Sequence, residues 1–260
     1  MIKNSRFYKY FTMIVISIFP IISIRNSDLL FNSIFYVIWR KKRLSKLLKI
    51  FDVNNKKILE LGAATGKVGQ ILSKYGAFVT IADGRLKSLN KCKKSNIRKI
   101  EIDNDLAWHS KFDSEKFDLI IHWGLLYHLK NWKKDLEQCV KKSNYICLET
   151  IVYDSDKTSN EFKSIEFGLD QSIHFKSSIP TQEAIEMHLK NLGCSYKRFD
   201  DEDLDTYIPL KFHYIKIFRF LNFFKKDKKI ITHKYSWTNT HTNLATDLTR
   251  RFWLIKNSDG

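Results

Sequence analysis

Cysteine, proline and glycine are all scarce in this 260-residue chain, and each shortage removes a class of answers. The four cysteines, Cys92, Cys139, Cys147 and Cys194, are far apart and form no C-x-x-C pair. That spacing argues against a disulfide framework or a zinc site, and no metal is expected; a reducing, cytoplasmic compartment fits best. Three prolines (Pro20, Pro180, Pro209) and nine glycines leave few punctuation points, so long elements are expected. Long apolar runs are missing too. Phe11–Ile24 is the strongest, but it falls short of the ~20 residues of a membrane span, and Pro20 interrupts it.

Acidic residues are the remaining shortage. Lys and Arg number 45 against 28 acids, a formal charge of +17. Residues 1–57 carry twelve basic and two acidic side chains, residues 58–200 carry 22 and 19, and residues 201–260 carry 11 and seven. The body of the chain is nearly balanced and the excess is mostly N-terminal. Such a face suits an anionic partner, membrane headgroups or nucleic acid, although a Lys-rich surface also arises from composition alone.

What is present is a folded chain, 43% hydrophobic and long enough for a substantial core. The N-terminal apolar segment reads as packed on the domain or lying in a membrane interface, with a true span or a signal peptide as alternatives. Asn26-Ser27-Asp28 reads as a helix start, and the helix runs through Arg40-Lys41-Lys42-Arg43 to about Ile50. Basic residues beside apolar ones suggest peripheral membrane contact through residues 1–50; a helix covering a sheet edge has the same pattern.

Lys57–Leu61 is a short apolar run with the look of a buried parallel strand. It opens into Gly62-Ala63-Ala64-Thr65-Gly66, and an apolar-periodic stretch follows from Val68. Strand, glycine turn and helix is the context of a nucleotide-binding turn, where Gly62 and Gly66 would admit a ligand close to the backbone. Glu60 ends the strand. A second strand over Gly76–Asp83 also ends in an acid, and an acid about 20 residues past such a turn commonly holds a ribose diol. Ala64 stands where the dinucleotide fingerprint has glycine, which counts against a nicotinamide cofactor.

ILELGAATGKVG resembles the first motif of class I S-adenosylmethionine-dependent methyltransferases. The resemblance implies a Rossmann-like α/β fold: a seven-stranded, mostly parallel sheet with helices on both faces. To this the chain would add an N-terminal helical extension (1–55) and an insertion of roughly 201–249 before the last strand of the 56–260 domain. It implies S-adenosyl-L-methionine as cofactor, with Glu60, Gly62, Ala63, Ala64 and Gly66 around its methionine part. Asp83 and Gly84 would meet the ribose, Asp103 and Asn104 the adenine, and His122, Trp123 and Gly124 the pocket wall. Trp108 and His109 would cover the adenine or else pack in the core. The order GLLYHL, LET, IPT is similar to the transfer-RNA wobble-uridine branch that uses carboxy-S-adenosylmethionine, but basic residues marking the carboxylated cofactor are not evident.

On the acceptor side, His128 is the candidate base, since its unperturbed pKa is near neutral; a structural hydrogen bond or surface exposure are its alternatives. Tyr127 would orient the acceptor. Glu149 would touch substrate or pair with a lysine, and Arg250 with Arg251 would bind an anionic acceptor or form a solvated pair. Residues 153–179 and the insertion are candidate substrate covers. Pro180–Leu192 is expected to be a helix. Three functions follow: methyl transfer to a small molecule or glycan, modification of transfer RNA, or a non-catalytic adenosine-ligand module.

Overall fold

The structure, a computed structural model, describes residues 34–153, 161–166, 172–201, 204 and 248–258. The Phe11–Ile24 run, the helix start at residues 26–28 and nearly all of the 201–249 insertion lie outside them. Helix α1 (Ile34–Ile50) comes first, then β1 (Lys57–Leu61), α2 (Lys67–Leu72), β2 (Phe78–Asp83), α3 (Leu86–Leu89), β3 (Arg98–Glu101) and β4 (Phe117–Trp123). Helix α4 (Trp132–Lys142), β5 (Ser143–Tyr153), β6 (Glu161–Ile165), β7 (Lys176–Pro180), α5 (Gln182–Asn191), β8 (Ser195–Phe199) and β9 (Leu248–Lys256) complete it.

Seven strands form one sheet in the order β3-β2-β1-β4-β5-β9-β8, with β1 to β5 parallel and β9 antiparallel to both of its neighbours. This is the Rossmann-like architecture the sequence implied. Buried residues on successive positions of one strand divide between two cores, as a period of two requires. Ile58 of β1 packs with Leu44 and Leu47 of α1 and Leu72 of α2, while Leu59 and Leu61 pack with Leu136 of α4 and Ile185 of α5. Helices therefore cover both faces.

Helix α1 turns its Trp39, Arg43, Leu44 and Leu47 side inward and leaves Lys41, Ser45 and Lys49 exposed. Its apolar side is thus spent on the sheet. Among the described residues no helix is long and apolar enough to cross a membrane. Two local readings change. Pro180 ends strand β7 instead of opening a helix, and α5 starts at Gln182, capped by the Thr181 side chain, which accepts from the Ala184 N–H at 3.2 Å. Strands β6 and β7 pair as a separate antiparallel hairpin within the segment read as a cover.

Candidate active site

The strand order reverses between β1 and β4, because β1 runs outward to β2 and β3 while β4 leads the other way. In open α/β sheets a crevice forms at that reversal, beyond the carboxyl ends of the strands. A cleft lies there, walled by the loops after β1, β2, β3 and β4 and by Glu149 of β5 and Arg250 of β9, and closed on one side by α1.

The turn after β1 forms its floor. Gly62 has φ 60°, and a Cβ there would press on the Leu125 side chain at 3.1–3.2 Å. Ala64 also adopts a positive φ of 48°, an uncommon state for a residue with a Cβ. Asp83 holds this conformation: its Oδ2 accepts the Ala64 N–H and its Oδ1 the Arg85 N–H, each at 2.8 Å. Burial raises the Asp83 carboxyl above its ordinary value despite those two donors. Glu60 accepts the Gly69 N–H at 2.7 Å. Burial pushes Glu60 up to about 8, the Gly69 bond opposing only in part.

Gly69 fits because any Cβ would sit 2.8 Å from that Glu60 oxygen. The raised Glu60 has a consequence for stability. A carboxyl whose folded value exceeds its unfolded one stabilises fully below the unfolded pKa, and that contribution is lost as pH rises through the folded pKa. Stability should therefore fall between the ordinary 4.5 and about 8. Urea denaturation across that window should show a slope that Glu60→Gln flattens; an unchanged slope in the variant would show that Glu60 is not its source.

The opposite wall carries chemistry on two centres. His128, in the 3-10 turn Leu126–His128, is 6% exposed and shares a 2.7 Å hydrogen bond between its Nδ1 and Glu166 Oε2. Glu166 also accepts the Ser172 N–H at 2.9 Å. Burial alone would raise Glu166, but the His128 contact and the backbone donor outweigh it and hold the carboxyl below its ordinary value. An ionised carboxylate only accepts, so the Nδ1 proton lies between the two and Nε2 is left as the basic nitrogen.

Beside it, Glu149 Oε1 accepts from Arg43 Nη2 and Arg250 Nη1, both at 2.7 Å, and Arg250 Nη2 reaches the Tyr127 hydroxyl at 3.4 Å. Burial would raise Glu149, yet Arg250 and Arg43 together hold it below its ordinary value. Both guanidinium groups lie over the Trp39 ring, at 4.3 and 4.1 Å from its centroid.

A sequence profile of the family described as "Methyltransferase domain" matches residues 36–197, more than half of the chain. The chain belongs to this methyltransferase family. It is a class I, S-adenosylmethionine-dependent enzyme. No curated protein matches it in sequence. Among solved structures, the N-terminal domain of EvdMO1, crystallised in the presence of SAH and D-fucose, aligns with a TM-score of 0.60 at 14% identity, over 84% of this chain and 82% of that one. YcgJ from Bacillus subtilis aligns with 0.56 at 13%, over 85% and 100%. The magnesium protoporphyrin IX methyltransferase ChlM from Synechocystis PCC 6803, with bound SAH, aligns with 0.51 at 10%, over 85% and 84%. At such identities the likeness is one of fold.

Most residues singled out in this methyltransferase by sequence border the cleft: Glu60, Gly62, Ala63, Ala64, Asp83, Gly84, Asp103, Asn104, Trp123, Gly124, Tyr127, His128, Glu149 and Arg250. Gly66, His122 and Arg251 do not, and each has a physical reason. Gly66 caps α2 at φ 64°, and the atom a Cβ would strike, at 2.7 Å, is Ile81 Cδ1. His122 neighbours Trp123 on a strand, so the two face opposite ways. It lies fully buried with Nε2 on Asp135 Oδ2 at 2.6 Å. Trp108 is also core, since its Nε1 donates to Asp135 Oδ1 at 2.8 Å, and His109 bonds Gln138. Asn104 borders the cleft but spends its amide on the same Asp135 oxygen, at 2.8 Å.

Arg250 and Arg251 split across the sheet for the same alternation. Arg250 is 3% exposed, not solvated, while Arg251 Nε donates to Gln182 Oε1 at 3.0 Å on the other face. Glu149 pairs with arginines and not with a lysine. Sequence reading missed Trp39, Arg43 and Glu166. Glu166 directly follows β6, a strand whose mixed sequence carries no clear period, so nothing in the sequence singled it out. The fold also gathers His122, Asp135 and Cys139, and separately Asp103, Asp105 and His174, to within 4.8 Å, convergences that linear spacing does not reveal.

Proposed function

We propose that this methyltransferase transfers a methyl group to a hydroxyl of a small molecule or glycan, with His128 as general base. S-adenosylmethionine supplies a methyl group activated by a sulfonium centre. The cleft residues fit it: the Gly62–Ala64 turn offers backbone close to a ligand, buried Glu60 suits an ammonium group, and Asp83 a ribose diol. Gly84, Asp103 and Asn104 would border the adenine, and Trp123 and Gly124 the methionine side. EvdMO1, crystallised with SAH and D-fucose, supports a small oxygen-bearing acceptor by analogy of fold.

The observation that carries the reading is the His128–Glu166 pair on the cleft wall. Displacement at a methyl carbon is served chiefly by positioning. A base matters when the acceptor must lose a proton, as a hydroxyl does. Glu166 fixes the ring and stabilises the imidazolium that forms when Nε2 takes that proton. Tyr127, with its ring centroid 4.0 Å from that of His128, would orient the acceptor.

His128→Gln is therefore expected to lower kcat by roughly 10²–10⁴-fold while leaving binding of S-adenosylhomocysteine within a factor of about three. Mass detection of methylated product from a hydroxyl-bearing panel, with calorimetry on the same samples, tests both halves. Undiminished turnover would remove His128 from the chemistry. A non-catalytic module would bind cofactor and yield no product from any acceptor.

A transfer-RNA acceptor is the second reading, favoured by the +17 charge and the GLLYHL order. It predicts RNA binding that falls steeply with salt. The inward direction of Arg43 counts against it, because that charge is withdrawn from any outer face. Peripheral membrane contact through residues 1–50 would likewise have to use the exposed Lys41 and Lys49 side of α1 together with the segment before it.

A further inference from the structure

Residues 172–175 form a turn that touches both halves of the cleft. Ser172 and Ile173 border it, and the Phe175 N–H closes the turn on the Ser172 carbonyl at 3.4 Å. On the acceptor side the turn is held at its root. The Ser172 N–H donates to Glu166 Oε2 at 2.9 Å, the same oxygen that meets His128 Nδ1, and the Glu166 N–H donates to the Phe175 carbonyl at 3.0 Å. On the cofactor side its tip rests on the loops after β2 and β3. Ile173 Cδ1 stands almost where a Cβ on Gly84 would lie, so the isoleucine fills the space this glycine leaves. His174 Nε2 meets Asp103 Oδ2 at 2.6 Å.

That second grip is incomplete. Ile173 is still 41% exposed, although it is apolar and stands at the cleft edge. The His174 and Asp103 side chains are 44% and 23% exposed, and ion pairs so open to water hold little. Phe175, at φ 59°, adopts a conformation unfavourable for a bulky side chain. A ligand that covered Ile173 would add the missing hold on the turn.

We propose that this turn couples the two halves of the reaction: the nucleoside of the methyl donor packs on Ile173 and, through Ser172, fixes the Glu166 carboxylate against His128. Ile173 is then a positioning residue for the base, and the order of binding is donor first, acceptor second. The inference rests on the cofactor placement and the His128 reading given above. The nucleoside end is selected by chemistry. Asp83, the residue suited to the ribose diol, immediately precedes Gly84, and a purine offers a flat apolar face to an isoleucine.

The test uses the full-length protein and 5′-methylthioadenosine, which keeps the nucleoside and thioether of the cofactor and lacks its amino-acid part. NMR follows exchange of the His128 Nδ1 proton with water, without ligand and at saturation. Saturation is expected to slow that exchange by about tenfold or more, because a fixed carboxylate holds the proton longer. Ile173→Ser is expected to weaken binding of 5′-methylthioadenosine and S-adenosylhomocysteine by a common factor of roughly ten. Brought to saturation at higher concentration, the variant should lose most of the slowing, which a purely structural role for Ile173 would leave intact. Should the variant fail to fold, the wild-type comparison decides alone. Unchanged exchange in a wild type that binds the nucleoside, full slowing in Ile173→Ser, or slowing with S-adenosylhomocysteine only would each overturn the proposal. Failure of S-adenosylhomocysteine to bind the wild type would overturn the cofactor reading instead, and calorimetry on the same sample separates that case from the others.

Discussion

Glu149→Leu is expected to destabilise the protein by about 3–5 kcal/mol, because it strips the anion from between two buried arginines. Arg43 and Arg250, which share one Glu149 oxygen and both lie over the Trp39 ring, would then repel each other without the carboxylate between them. Neither can shed its proton, since a guanidinium stays charged in proteins. Arg43 shows the tension already: burial lowers its pKa, with the Glu149 charge as the chief opposing influence. Urea denaturation, read at unchanged m-value, measures the loss. The triple replacement Arg43→Met, Glu149→Leu, Arg250→Met should recover most of it, as apolar substitutes for buried ion clusters do. A loss below about 1 kcal/mol in the single variant would mean that water or a counter-ion already compensates the pair.

The second large effect concerns the cofactor. Asp83→Ala should weaken S-adenosylhomocysteine binding by roughly 100-fold or more, the worth of one or two charge-assisted hydrogen bonds to a ribose diol. The same substitution also orphans the Ala64 and Arg85 N–H groups that Asp83 now accepts, so some of the loss comes from a loosened turn. Asp83→Asn separates the two contributions, because its amide oxygen still accepts one of those bonds. Gly66→Val offers an independent route to the same outcome. Its φ of 64° and the 2.7 Å approach to Ile81 Cδ1 forbid the turn without touching any ligand. Calorimetric titration of all three against the wild type is the measurement. Wild-type affinity in Asp83→Ala would move the ribose away from β2.

The central sheet is largely legible in the sequence. The limits of β1 coincide with the Lys57–Leu61 run, because an apolar stretch buried on both faces and bounded by a lysine and a glycine has little room to slip. The acids ending β1 and β2 were found for a related reason: a carboxylate at a strand terminus interrupts an otherwise apolar pattern. The errors share a cause as well. His122 with Trp123, and Arg250 with Arg251, were read as pairs because they adjoin in sequence. On a strand adjacency means opposition, and each pair divides between the two faces.

Arg43 was not legible for another reason. Within Arg40-Lys41-Lys42-Arg43 it looks like one member of a basic surface patch, and only a carboxylate 106 positions away distinguishes it. The β6–β7 hairpin was hidden because Glu161–Ile165 mixes charged and apolar residues too briefly for a clear period. Glu166 was lost with it.

The arginine pair also bears on the order in which a growing chain can become an enzyme. Glu149 lies on β5, Arg43 on the first described helix and Arg250 on β9, the last described element. β9 must insert between β5 and β8, and so enters the sheet after every strand it touches has been synthesised. A ribosome-bound chain that has not yet released β9 can form the parallel half of the sheet and the glycine turn. It would hold the turn at the cleft floor without Arg250 on the cleft wall, and the cleft would first be complete only when synthesis of that strand is finished.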